Sequence, residues 1–525
     1  MTREDVFSSR RKLLRSLAGV TLSLPASFSR ALSWRPIADI SRSISLSLSS
    51  HAADLAETNS PESALEFDSS NSTLVRGFQW AKRQALAYVR NGDPVGPWYE
   101  ATLPGRNAFC MRDVSHMSTG AQLLGLGTTN RNMLRRFAEH ISASKKWCTW
   151  WEITREGKPL AQIDYNNDRD FWYDLPGSFD VVDACYRQWL WTRDRTYLDD
   201  VFLKYYYHTV TDYVEQWGHN DKDGFLEHLS QDGHMGIATY DEDLVDDVLV
   251  GADLIAAQYR AYCCYAAIQH ARNQLATAQQ FTNKAENLKS IYNRKWWDAS
   301  RNCYYAAVGE DGKFHKDLKA SVGHLDIELP LYFGLTDRGI KTQAALDALE
   351  RLLPLDENAI HGMIGGVEGR AYLPDIFYQY GRSRSGYKSL VVMMSPFLKR
   401  REYPEVSYTS IGNLGTGLMG IRPSLSPGMV ETFPQLTEDT NWASMSHVPV
   451  GSNVIFVKHT QNRETALSNE QGPALSWRVS FPGDVKSLVI DGKETLVEKA
   501  IRQGGAAESY IVLQVEPGET RVASL

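Results

Sequence analysis

Helix-period hydrophobic patterning governs the chain from about residue 71 to residue 422. Between 72 and 89, Leu74, Phe78, Trp80, Ala81, Ala85 and Val89 recur at the spacing of a helix that buries one face. Comparable runs follow at 115–126, 130–145, 178–192, 196–216, 246–272, 275–296, 319–334, 340–353, 386–399 and 407–420. Most are separated by segments carrying Gly, Pro, Asp and Asn, which interrupt helices. The stretch from Leu244 to Gln269 is apolar almost all round, as an inner helix of a large bundle would be.

The period changes near residue 440. Residues 453–458, 474–479, 487–490 and 510–513 alternate as strands do, and Asp491-Gly492 is a hairpin turn signal. The pattern therefore predicts a mainly α protein with a small C-terminal β-sandwich over 439–525. Residues 34–70 are Ser-rich and weakly patterned, and read as a linker or N-terminal extension.

The first 33 residues have a different character. Ser9-Arg10-Arg11-Lys12-Leu13-Leu14-Arg15 precedes a modest apolar run, Leu17 to Leu24, and then small residues around Ala26 to Ala31. That order, with paired arginines, predicts a twin-arginine signal peptide and a periplasmic or secreted protein. The apolar run is shorter than the roughly 20 residues that span a bilayer, so no stable membrane insertion is expected once the signal is removed.

Composition narrows the function. The 525 residues carry a net charge of −7, and removal of residues 1–33 takes away six bases and two acids, leaving −11. An acidic chain without a basic stripe excludes a nucleic-acid partner. The 14 Trp and 25 Tyr concentrate in loop-like segments such as Trp147-Cys148-Thr149-Trp150-Trp151 and Phe171-Trp172-Tyr173, beside carboxylates. Aromatic faces of this kind stack on sugar rings as well as filling cores. The six cysteines form no C-x-x-C pair, and a disulfide among Cys110, Cys148 and Cys185 is open in an oxidising compartment.

Two segments also carry a resemblance. Pro104-Gly105-Arg106, Phe109 through His116, Gly120-Ala121 and Leu124-Gly125-Leu126 resemble the first active-site loop of the six-hairpin carbohydrate enzymes. Asp168 to Leu190, with Leu175-Pro176, Phe179-Asp180 and Tyr186, is similar to their second hairpin. The resemblance spans most of 71–440 and implies an (α/α)6 toroid over 71–438. It is closest to exo-acting lyases that cut rhamnose from glucuronate on plant arabinogalactans, with inverting α-L-rhamnosidases next. It implies an oligo- or polysaccharide substrate, and for the lyases a tyrosine base.

In such a toroid, the loops of one rim would line a pocket. The catalytic candidates are Arg112, Asp113, His116, Tyr240, Glu242, Glu405 and Tyr408, and the substrate-binding candidates are Trp151, Glu152, Asp164, Tyr165, Trp172, Tyr173, His324 and Arg370. Hydrolysis with inversion needs a protonated carboxyl and a second carboxylate ~6.5–9.5 Å away. Glu242 as acid and Glu405 as base suit it, with Glu152 and Asp113 as substitutes. β-Elimination needs instead a neutralised uronate carboxylate, for which the Arg112 fork is suited, and a base among Tyr165, Tyr173, Tyr240 and Tyr408, with His116 as partner or acid. Each acid has a plainer role open to it, since Asp113, Asp241, Asp243 and Glu405 all stand where they would favour a helix N-terminus. Asp221-Lys222-Asp223-Gly224 lacks the full calcium-loop pattern. The glycines of 362–369 come without the Lys-Ser/Thr of a phosphate cradle, and neither a Gly-x-Ser-x-Gly elbow nor a His-Glu-x-x-His motif is present. No cofactor or metal is called for.

Overall fold

The computed structural model describes residues 62–525 except 162–163, 219–222, 229–235, 241–247, 316–324 and 363–365; the side chains of 325–327 and 362 are also left undescribed. The twin-arginine segment, Glu242 and His324 lie outside the described residues. No helix among the described residues is long and apolar enough to cross a membrane.

Helical segments follow one another in contact, Met111–Leu123, Gly177–Thr192, Ala252–Ala271, Leu325–Tyr332 and Leu373–Gln379, and the last meets the π-helix Asn413–Leu418, which continues Pro404–Gly412, the helix that packs back on Met111–Leu123. Ala252–Ala271 is buried along nearly its whole circumference, as its sequence requires. The helix Leu275–Lys295 packs on it and leaves the rest of its surface to solvent. Ser72–Ala87 packs against Pro404–Gly412 in the same way, its start fixed by Asn71, whose side chain accepts from the Thr73 and Leu74 amides. The turn before Ala252 is a strand, Val248–Gly251, rather than the helix expected from residue 246. Its alternating burial is that of a strand, and it pairs with Ala307–Gly309.

One glycine sets the geometry that matters most. A Cβ on Gly120 would lie 1.8 Å from the Tyr408 carbonyl oxygen, so only glycine lets Met111–Leu123 approach Pro404–Gly412 this closely. That approach brings the N-terminal turns of the two helices, with Asp113 and Glu405, to the same place.

The C-terminal residues form two sheets. One has seven strands in the order Glu66–Ser69, Trp442–Val450, Asn453–Thr460, Glu464–Gln471, Thr520–Ser524, Ser487–Ile490, Lys493–Leu496. The other has five, Arg422–Pro423, Met429–Thr432, Leu475–Pro482, Ala507–Val515 and Glu498–Ile501. Burial alternates strictly along Asn453–Thr460 and through most of Leu475–Pro482, burying Ile455, Val457, Trp477 and Val479. The Asp491-Gly492 turn has positive φ at both residues and joins two paired strands. Residues 66–69, inside the stretch read as linker, instead form an edge strand in register with Ala443–Ser446. Four residues, EFDS, are too short for a periodicity to stand out. All six cysteines are free thiols.

Candidate active site

The centre of the site is His116, held on every side. Its Nδ1 lies 2.6 Å from Glu405 Oε1 and its Nε2 3.4 Å from Asp375 Oδ2. Its ring stacks on Tyr372 at 3.7 Å between centroids and 2° between planes, with Tyr332 edge-on. Burial works against a charged imidazole, but the hydrogen bonds to Asp375 and Glu405 outweigh it and raise the pKa to about 9. With a carboxylate at each ring nitrogen, both nitrogens donate and His116 is the imidazolium. Asn413, in the π-helix, donates to Asp375 Oδ2 at 2.9 Å and completes the row.

One turn before His116, Asp113 is 2% exposed and accepts a hydrogen bond from the Tyr403 hydroxyl. Burial first, and then the charge of Glu405, push its carboxyl up to about 7, against the opposing pull of Arg112 and Tyr403. Asp113, a substitute acid from sequence, and Glu405, the expected base, are therefore electrostatic neighbours although far apart along the chain.

Arg112 turns the other way. Its guanidinium lies over the rings of Trp151 and Tyr240, at 5.6 and 5.8 Å, and donates to the Tyr240 carbonyl oxygen at 3.2 Å. The Tyr240 hydroxyl stands beside Asp180, and burial pushes both pKa values well up. Arg112, His116, Asp180 and Tyr372 line one crevice together with Asp183, Arg187, Tyr332 and Phe333. Against its burial, Asp183 is held down at about 2 by Arg260 and Arg187, at 2.6 and 2.8 Å, which ties its own helix to Ala252–Ala271.

Of the residues singled out from sequence, Arg112, Asp113, His116, Trp151, Tyr240 and Glu405 thus come together. The other described candidates make contacts of their own. The Tyr408 hydroxyl donates to the Ala85 carbonyl at 2.8 Å and its ring stacks on Tyr99, on the side facing Ser72–Ala87, so it is a packing residue. Glu152 is engaged by Arg106 at 2.9 Å and Thr102 at 2.8 Å, and its strand pairs with the one leading into Arg112. Tyr165 donates to Asp168 at 2.6 Å, and burial with that bond lifts its pKa to about 12. Tyr173 reaches His228 at 3.0 Å; Trp172, buried next to it in sequence, donates its amide to the carbonyl of buried Asp164 at 2.6 Å. Arg370 is half-buried, with burial depressing its pKa and Glu328 countering. Sequence reasoning passed over Tyr372, Asp183, Arg187 and Arg260. No motif marks them, though an Asp and an Arg four apart, Asp183 and Arg187, are a helix-face pair visible in the sequence.

A model of the bacterial alpha-L-rhamnosidase 6 hairpin glycosidase domain matches residues 184–399. The alpha-L-rhamnosidase from Dictyoglumus thermophilum superposes with a TM-score of 0.54 at 15% identity, covering 88% of this chain and 51% of that one. The fold is that of the six-hairpin glycosidases. The alfa-L-rhamnosidase from Aspergillus terreus aligns equally well, at 0.54 and 15%, over 87% of this chain and 51% of its own. A putative kojibiose phosphorylase from the human microbiome shares the six-hairpin glycosidase-like fold at 0.52 and 10%, over 91% and 68%. The chain thus spans about half the length of the two rhamnosidase structures. No curated protein matches it. The domain match takes in Tyr240 and Asp375 but stops short of Asp113 on one side and Glu405 on the other.

Proposed function

We propose that this chain is an exported glycoside hydrolase, an (α/α)6 toroid with a C-terminal β-sandwich, that removes a terminal sugar from a plant-type oligo- or polysaccharide in the manner of an inverting α-L-rhamnosidase. The observation that carries the reading is the pair Asp113 and Glu405. One carboxyl is lifted to about 7 and so keeps a proton near neutrality, while the other faces an imidazolium. Asp113 donates that proton to the glycosidic oxygen as the bond to the anomeric carbon breaks. Glu405 takes a proton from the water that attacks the opposite face of the ring. His116, clamped by Asp375 and stacked on Tyr372, positions Glu405. Trp151 and Tyr240, carrying Arg112 between them, offer aromatic and cationic contacts to the sugar.

The lyase reading draws support from Arg112, whose fork suits a uronate carboxylate. It also needs a tyrosine that gives up its proton, and burial pushes Tyr240, Tyr372 and Tyr403 in the wrong direction. Hydrolysis is therefore the better fit. Incubation with rhamnose-capped arabinogalactan in ¹⁸O-water is expected to place the label on the released sugar without near-ultraviolet absorbance. An unsaturated uronate appearing instead would overturn the hydrolase. Export rests on Arg10 and Arg11; their joint change to Lys is expected to leave the protein in the cytoplasmic fraction, and unchanged export would refute that part.

A further inference from the structure

Behind the His116 crevice lies a second, larger cavity of about 320 Å³. The two share Asp183, Arg187, Tyr332 and Phe333, and Asp375 lines the larger cavity while its Oδ2 reaches His116. The far wall belongs to the C-terminal sheets: Arg422 and Pro423 from the short edge strand, and Gln503 from the turn after Glu498–Ile501. That turn is built into place. Gln503 donates to the Tyr380 hydroxyl at 3.1 Å and accepts from Gln379 at 2.9 Å. A Cβ on Gly504 would meet the Tyr380 carbonyl at 2.2 Å.

The charges on the cavity wall do not cancel. Arg187 and Arg260 are both spent on Asp183. Asp375 is matched by His116 and Asn413. Arg422 remains. Its Nε donates to the Thr416 carbonyl at 3.2 Å, and its two terminal nitrogens have no hydrogen-bond or ion-pair partner among the described residues. Burial and the neighbouring Arg502 depress its pKa, and Glu431, Asp375 and Glu508 counter them from a distance without a hydrogen bond to it. Those two glutamates are themselves held by Arg478 and Arg502, at 2.5 to 3.0 Å. The fork of this half-buried guanidinium is therefore open to an acceptor supplied by a ligand in the cavity.

We propose that this cavity is a binding site for an acidic monosaccharide, its carboxylate on the free fork of Arg422 and its hydroxyls among Gln379, Gln503 and Asp375. The fork geometry selects a carboxylate, and the amides and Asp375 supply donors and acceptors for a hydroxylated ring. Trp191, Tyr378 and Phe333 offer apolar surface for its C–H faces. The volume lies at the low end of small-molecule sites, which suits one sugar ring rather than a chain. The site does not depend on the hydrolytic reading, because its test is a binding measurement.

Titration calorimetry of the full chain with sodium D-glucuronate is expected to show one site, with D-glucose binding about tenfold or more weakly for want of the charge-assisted pair. Arg422→Met, which keeps volume and removes charge, is expected to abolish the difference, and Arg422→Lys to retain part of it. Equal binding of the two sugars, or unchanged glucuronate binding in Arg422→Met, would overturn the proposal. Should Arg422→Met not fold, a crystal of the unaltered protein with glucuronate decides the matter: density for the sugar against Arg422 supports the site, and density only in the His116 crevice refutes it.

Discussion

Replacing Asp113 by Asn tests the catalytic reading most directly. The folded protein lifts this carboxyl from 3.8 to about 7, chiefly by burial and secondarily through Glu405. At pH 7 the shift raises the protonated fraction on the order of a thousandfold over an exposed aspartate. A proton donor present in half the molecules becomes one present in all but none if the shift is lost. Asn keeps the shape and still accepts from Tyr403, yet donates no proton of comparable acidity. The expected loss is ~10²–10⁴-fold in kcat for a substrate with a poor leaving group, and far less for a nitrophenyl rhamnoside, whose leaving group needs little protonation. The pH profile of kcat/KM should lose its basic limb near 7. The same change is expected to stabilise the fold. Because the native pKa lies above the unfolded one, the stabilisation from this group is full below about pH 4 and drains away as pH rises through 7. Above that, a charged Asp113 costs roughly 4 kcal/mol, which Asn removes. Equal losses on both substrates, or a basic limb that stays where it was, would refute the acid role. A drop in melting temperature at pH 8 would refute the electrostatic account.

Two other substitutions separate positioning from packing. In His116→Gln the imidazolium and its pH dependence disappear; since the native pKa of about 9 exceeds the ordinary 6.5, its stabilisation is complete below 6.5 and lost as pH rises through 9. Denaturant titrations should therefore show a deficit of ~3 kcal/mol at pH 6 that closes by pH 10, and a pH-independent deficit would mean that His116 acts only by packing. For Tyr408→Phe the loss is one buried hydrogen bond to Ala85, ~1 kcal/mol in stability, with kcat/KM little changed; a hundredfold drop in activity would return Tyr408 to the catalytic set.

The parts of this protein legible in its sequence are those with a local signature. The inner helix 252–271 announces itself by its all-round apolar residues, the Asp491-Gly492 hairpin by its turn residues, and the Arg112–Asp113–His116 turn by three chemically active residues within five positions. Glu405 could be named as a candidate, but not its partner, because the pairing with His116 spans 289 residues and depends on Gly120 meeting Tyr408. Tyr408 went the other way for a related reason: three residues on from Glu405, it lies on the same helix but its hydroxyl reaches back to Ala85. Asp180 stands in the sequence as part of the second-hairpin segment, and its chemistry arises only once burial and Tyr240 close over it. Arg422 carried no signal at all, since an arginine in a two-residue strand is unremarkable until the cavity beside it is seen.

These features share a thermodynamic consequence. Asp113 and Glu405 are forced together by a glycine contact that no other residue permits, and the site accepts their repulsion. His116 offsets part of it, but only while protonated. The two titrations act in the same direction: stability falls from about pH 4 to 7 as Asp113 loses its proton, and again from about 6.5 to 9 as His116 does. A chain optimised for stability alone would hold neither a raised aspartate nor a buried imidazolium here, as either is readily replaced by an apolar pair of equal volume. A raised aspartate one turn from an imidazolium, whose crevice also takes in Arg112 and aromatic rings, is the mark of a site that keeps strain for use on a bound ligand.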